Sequence, residues 1–214
     1  MNNKQIGVLA AICASVMWAI EPVFAKLSYQ NSDFLHTSAI RAFIVMAMAL
    51  AYSSATKASF RIDKRQISVM VYIGLAGTLF ADLLYFLAMT KAPVINVVLL
   101  GHMQPIFIVL LGFLFLKEDR LIGIALMMLS GLLVTTRTPN NLAVLKLGTI
   151  WDLLVLASTI TWATAAIAVR KYLKGMNAGI ITFYRFLFAS IVFMMYLLFT
   201  LQTFTRFWRV LLSA

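Results

Sequence analysis

Apolar residues fill the stretch from Ile6 to Leu27 almost without interruption, with a single carboxylate, Glu21, inside it. The same pattern recurs at Leu35 to Ala55, Ile67 to Thr90, Pro93 to Leu116, Leu121 to Thr136, Gly148 to Val169 and Ala178 to Leu201. A helix crosses a hydrocarbon core of about 30 Å with about 20 apolar residues, so these runs predict about seven membrane-spanning helices, the fifth being the shortest. Connections such as Lys91-Ala92-Pro93 and Lys117-Glu118-Asp119-Arg120 are brief. They make neighbouring helices antiparallel and leave no room for a domain outside the membrane. The expected fold class is an all-α polytopic membrane protein.

Composition supports that expectation. Of 214 residues, 63% are hydrophobic and 12% charged, and the mean hydropathy is +0.95, too apolar for a soluble domain. The net charge of +11 does not point to nucleic acid, because the basic residues form short clusters between apolar runs rather than a polar binding surface. Lys4 ahead of an apolar stretch imitates a signal peptide, but the run is too long and ends in no A-x-A site, so the first span is expected to remain. Cys13 is the only cysteine, which excludes an intrachain disulfide and a thiolate metal cluster.

Lysine and arginine set the orientation. With a cytoplasmic N-terminus, ten of them outside Arg41 and Arg185 fall on inner segments, Lys57 to Arg65 and Arg170 to Lys174 among them, against six on outer ones. The expectation is a multi-pass protein of the cell inner membrane with its N-terminus inside.

Arg41 and Arg185 lie within apolar runs and reveal a repeat. Trp18-Ala19 precedes Arg41 and Tyr52 by the same intervals at which Trp162-Ala163 precedes Arg185 and Tyr196, at one offset of 144. The offset relates helix one to helix six, so each unit holds five helices, and an odd number inverts the second unit across the membrane. The expected organisation is a five-helix repeat over 1–137 and an incomplete second repeat over 148–214, made of two helices and the start of a third at Arg209-Val-Leu-Leu-Ser-Ala. On this reading the sequence is a C-terminally truncated five-plus-five inverted repeat.

A few polar residues inside the spans carry the candidate chemistry. Glu21 and Arg41 lie at similar depth below the outer ends of helices one and two, so a structural ion pair across that hairpin is expected. Asp82 and His102 also share a level on adjacent helices and could form a coupled acid–imidazole pair, serving as a proton relay or a solute contact. Arg185 matches Arg41, but Ala165 stands where Glu21 would recur, so Arg185 is expected to snorkel towards the inner surface, bind lipid or meet a residue on a helix that this sequence lacks. Pro105 removes a helical hydrogen bond and crowds the Gly101 carbonyl, so a kink is expected beside His102 and Gln104. Trp18 and Trp162, well inside their helices, could stack on a solute.

No metalloprotease, hydrolase, Walker or dinucleotide signature occurs, and His36 and His102 cannot form a metal site alone. Neither metal, cofactor nor enzymatic activity is expected. One alternative is a membrane-integral enzyme using Asp82 and His102 as acid and base; another is a non-transporting subunit or remnant.

The segment APVINVVLLGHMQPIFIVLLGFLFLKEDR, with Pro105 ahead of Glu118, resembles the fourth helix of the drug/metabolite transporter superfamily in its ten-helix, EamA-like branch. Trp18, Arg41 and the glycines of helix five, Gly123 and Gly131, also fit. The resemblance spans helices one to seven. It implies a secondary carrier that exports amino acids or other small metabolites by alternating access around a central cavity. The solute contacts are then Trp18, Asp82, His102, Gln104 and Trp162, and the partners a small-molecule solute, the lipid bilayer and a homo-oligomeric or complementing chain.

Overall fold

A computed structural model describes residues 2–30, 32–117 and 148–212, and the side chains of these except residues 3, 4 and 201–212. The described elements are all helical: α1 (Asn3–Ser28), α2 (Phe34–Ala55), α3 (Lys64–Gly74), a π-helical segment (Leu75–Phe80), α4 (Ala81–Lys91), α5 (Val94–Gly101), α6 (Gln104–Leu116), α7 (Ile150–Tyr172) and α8 (Ala178–Leu212). Among the described residues six helical stretches are long and apolar enough to cross a membrane, Lys64–Lys91 and Val94–Leu116 each counting as one. The expected fifth span, Leu121 to Thr136, lies outside the described residues, as do Glu118, Gly123 and Gly131. Helix α8 continues unbroken to Leu212, so the residues from Arg209 extend that helix instead of opening a new one.

Short polar motifs start the spans. Asp33 precedes α2 and accepts a hydrogen bond from the His36 backbone N–H at 2.7 Å, satisfying a donor that the helix leaves open. Thr149 and Asp152 close α7 reciprocally, with Asp152 Oδ2 accepting from the Thr149 N–H at 2.9 Å and Thr149 Oγ1 accepting from the Asp152 N–H at 3.3 Å. Partial burial tends to raise the Asp33 carboxyl, but the His36 backbone and side-chain hydrogen bonds outweigh it and hold Asp33 below its ordinary value. A depressed pKa contributes stability above the unfolded value and loses it as pH falls through the folded one. Asp33→Ala should therefore cost about 1 kcal/mol at neutral pH, and the melting difference from wild type should shrink below about pH 4. A pH-independent difference would mean that the cap bonds do not depend on the carboxylate.

Packing brings both ends of the chain into one bundle. Helices α4, α5 and α7 bury Tyr85, Phe86, Met89, Val97, Leu100 and Val155 together. Helices α3, α7 and α8 meet at Met70, Ile73, Ala165 and Phe188. Helices α2 and α8, the pair related by the 144-residue offset, run antiparallel. Gly179 at the start of α8 lies beside Tyr52 and Ser53 at the end of α2, while Phe193 packs on Ala39 and Ala42 near the other end. Large apolar side chains such as Met17, Phe24, Met48, Leu114 and Phe199 face outward, as a surface solvated by lipid tails requires. Helix α1 is the least embedded, with every residue from Gln5 to Ile20 exposed and its end tied down by Lys26 Nζ donating to the Met89 carbonyl at 3.0 Å.

Two spans are discontinuous at their middles. Between α3 and α4 the backbone widens into the π-helical segment, where Thr78 Oγ1 donates to the Ile73 carbonyl at 3.1 Å. Between α5 and α6 the helix stops at Gly101 and restarts at Gln104, with Pro105 in the first turn of the new helix. Proline fits there because its missing N–H would have no partner in a first turn. The sequence expectation of a kink is thus met by a short break at His102-Met103. The cause is the same lost bond to the Gly101 carbonyl.

Candidate functional site

Arg41 on α2 stands between two carboxylates on two other helices. Its Nη1 donates to Glu21 Oε1 on α1 and its Nη2 to Asp82 Oδ2 on α4, while its guanidinium carbon sits 4.4 Å from the centre of the Phe86 ring. Asp82 is 8% exposed, and its second oxygen accepts from Trp162 Nε1 on α7 at 2.9 Å. The Trp162 ring lies 5.1 Å from that of Tyr85. One cation facing two anions leaves the group with a surplus negative charge, tolerable inside a span only because each oxygen named has a strong donor.

A cavity of about 310 Å³ opens beside this group. Trp18, Glu21, Arg41, Asp82, Gln104, Trp162 and Arg185 are among the residues that line it, so both discontinuous spans and both ends of the chain contribute. A hollow of about 410 Å³ that shares Glu21 and Arg41 with this cavity has mainly apolar walls, including Phe24, Ile40 and Ile44. Its polar lining residues, Ser28, Tyr29, Thr37 and Ser38 among them, expose little polar surface to orient a solute, so the charged cavity is the candidate site.

The expected pairing of Asp82 with His102 does not form. His102 is exposed at the break between α5 and α6, its Nδ1 is 2.6 Å from the Val98 carbonyl, and its ring stacks on Trp18 with centroids 6.1 Å apart. The break turns His102 toward α1, whereas Asp82 is committed to Arg41 and Trp162. His102 is therefore not part of the cavity wall, while Trp18, Asp82, Gln104 and Trp162 are.

The expected fates of Arg185 also need correction. It neither snorkels nor turns to lipid: Nε donates to Thr78 Oγ1, and Nη2 to the Gly77 carbonyl at 3.1 Å. Sequence reasoning left Arg185, Tyr85 and Phe86 out of the site. The 144-residue correspondence with Arg41 was the signal for Arg185, and for Tyr85 it was the three-residue step from Asp82, which puts both on one helical face.

The chain matches the model of the EamA-like transporter family over residues 5–136 and 149–214. Neither the curated proteins nor the solved structures contain a match.

Proposed function

The chain belongs to the EamA-like transporter family, and we propose that it is a secondary transporter that exports amino acids or other small metabolites by alternating access. The observation that carries this reading is the charged cavity lined from helices of both proposed repeats, at the level where two spans are broken. Discontinuous spans at the interface of inverted repeats are where carriers of this architecture hold solute. The antiparallel contact of α2 with α8 supports the inversion. Rocking of one repeat against the other would open the cavity to each side in turn, and the lysine and arginine bias would place the N-terminus on the cytoplasmic face of the inner membrane.

In this mechanism Trp18, Gln104 and Trp162 contact the solute, while Asp82 fixes Trp162 and shares Arg41 with Glu21. The enzymatic alternative loses its geometry, because the acid and imidazole that it required do not meet.

Solute counterflow in proteoliposomes loaded with mixed amino acids tests the proposal. Asp82→Asn leaves Arg41 paired with Glu21 and keeps an oxygen for Trp162 Nε1, so folding should be retained. The altered charge at the cavity wall should nevertheless lower counterflow at least about tenfold. Glu21→Gln, at the more exposed end of the group, should fold and lose less. Wild-type counterflow by the Asp82 variant would remove the cavity from the transport path, and no counterflow by wild type would sink the exporter reading.

A further inference from the structure

We infer that Arg185 is the contact for a carboxylate of the transported solute, and so a specificity-determining residue; this rests on the transport reading above and goes beyond it by naming the recognised group. The inference comes from comparing two arginines that the 144-residue offset relates. Arg41 has Glu21 and Asp82. Arg185 lines the same cavity, yet no carboxylate among the described residues pairs with it. Its hydrogen-bond partners among the described residues are a hydroxyl and a carbonyl, Thr78 Oγ1 and the Gly77 oxygen.

The replacement of the acid is built into the packing. Ala165 occupies the position that corresponds to Glu21, and it meets the π-helical segment so closely that a Cβ on Gly77 would lie 2.5 Å from its own. That close approach delivers Gly77 and Thr78 to the guanidinium. The Thr78 hydroxyl hydrogen is spent on the Ile73 carbonyl, so its oxygen is free to accept from Arg185 Nε. Neutral acceptors hold the side chain in place, and the Asp82 charge acts on it through space without a direct bond.

A guanidinium carries five N–H donors in a planar fork. Nε and Nη2 are engaged, and Nη1 has no partner among the described residues. An oriented cation at the wall of a cavity within the membrane, with no carboxylate bonded to it among the described residues, matches an anionic ligand group, and the fork matches a carboxylate in shape. Glu21, Asp82, Arg41 and Arg185 together carry no net charge in the cavity wall, which favours one negative charge on the ligand over two. The cavity volume of about 310 Å³ limits the solute to a small molecule.

The test uses the full chain in lipid nanodiscs and in proteoliposomes. Each common amino acid and several short monocarboxylic acids are offered beside their carboxamides, with thermal stabilisation reporting binding and efflux reporting transport. At least one acid should bind about tenfold or more tightly than its amide, as loss of a charge-assisted hydrogen bond implies. Arg185→Gln should abolish that difference and Arg185→Lys should keep part of it. Thr78→Val, which retains the charge but removes the orienting oxygen, should weaken the acid several-fold and leave the amide unchanged, covering the case in which Arg185→Gln does not fold. Equal binding of acids and amides, or discrimination that survives Arg185→Gln and Thr78→Val, overturns the inference. Transport of acids and amides alike overturns it while leaving the carrier reading intact; absence of binding and transport for every compound overturns both.

Discussion

Arg41→Met should destabilise the folded protein by about 3–5 kcal/mol, the cost of removing one partner from a buried ion pair. The single guanidinium serves Glu21 on α1 and Asp82 on α4, so its loss strands two like charges within the membrane spans, where neither can be hydrated cheaply. The cation–π contact with Phe86 goes as well. Helix α1 should respond first, because it is exposed from Gln5 to Ile20 and depends on the Glu21–Arg41 pair and the Lys26–Met89 bond for polar anchorage. Thermal melting in detergent should show the loss, and limited proteolysis should show α1 cut before the rest. The triple variant Glu21→Gln, Arg41→Met, Asp82→Asn removes all three charges and should recover most of the stability, since discharging a whole group avoids the unpaired ions. Unchanged melting of Arg41→Met would mean that the arginine holds no helices together.

The six described spans and the Glu21–Arg41 geometry were legible in the sequence for a physical reason. In a bilayer every backbone group must be satisfied within the helix, so apolar run length alone locates the spans, and depth along a helix follows from 1.5 Å per residue. Depth does not give azimuth. Asp82 and His102 share a level, but the break after Gly101 rotates His102 toward Trp18, and only side-chain direction separates a relay from two unrelated contacts. The π-helical segment was not legible either. Leu75–Phe80 reads LAGTLF, an ordinary apolar stretch, and the close approaches that Gly74 makes to Phe188 and Gly77 to Ala165 are tertiary contacts with helices far along the chain. The role of Arg185 followed that segment out of reach, because its acceptors are a backbone carbonyl and a threonine hydroxyl rather than the acid for which charge pairing searches.

Gly77→Ala should be the most damaging small substitution in the π-helical segment. The added Cβ would sit 2.5 Å from the Ala165 Cβ, well inside the optimal carbon–carbon separation of about 3.5–4.0 Å, so α7 and the π-helical segment must part by about 1 Å. Overpacking of this kind costs about 1–3 kcal/mol, and the displacement also draws the Gly77 carbonyl and Thr78 hydroxyl away from Arg185, so solute binding should fall with stability. The exchange Gly77→Ala with Ala165→Gly separates this cause from any other. With the Ala165 Cβ gone, the nearest remaining atom of that residue is its Cα at 4.0 Å, an ordinary contact, and both stability and binding should return toward wild type. Gly7→Ala is the matching control, because nothing lies within 4 Å of a Cβ there and helix propensity favours alanine by about 1 kcal/mol. Recovery in the exchange would tie the orientation of Arg185 to the approach of two backbones. Failure to recover would mean that glycine is needed at 77 for the π-helical backbone itself, with the contact to Ala165 a consequence of that geometry rather than its support.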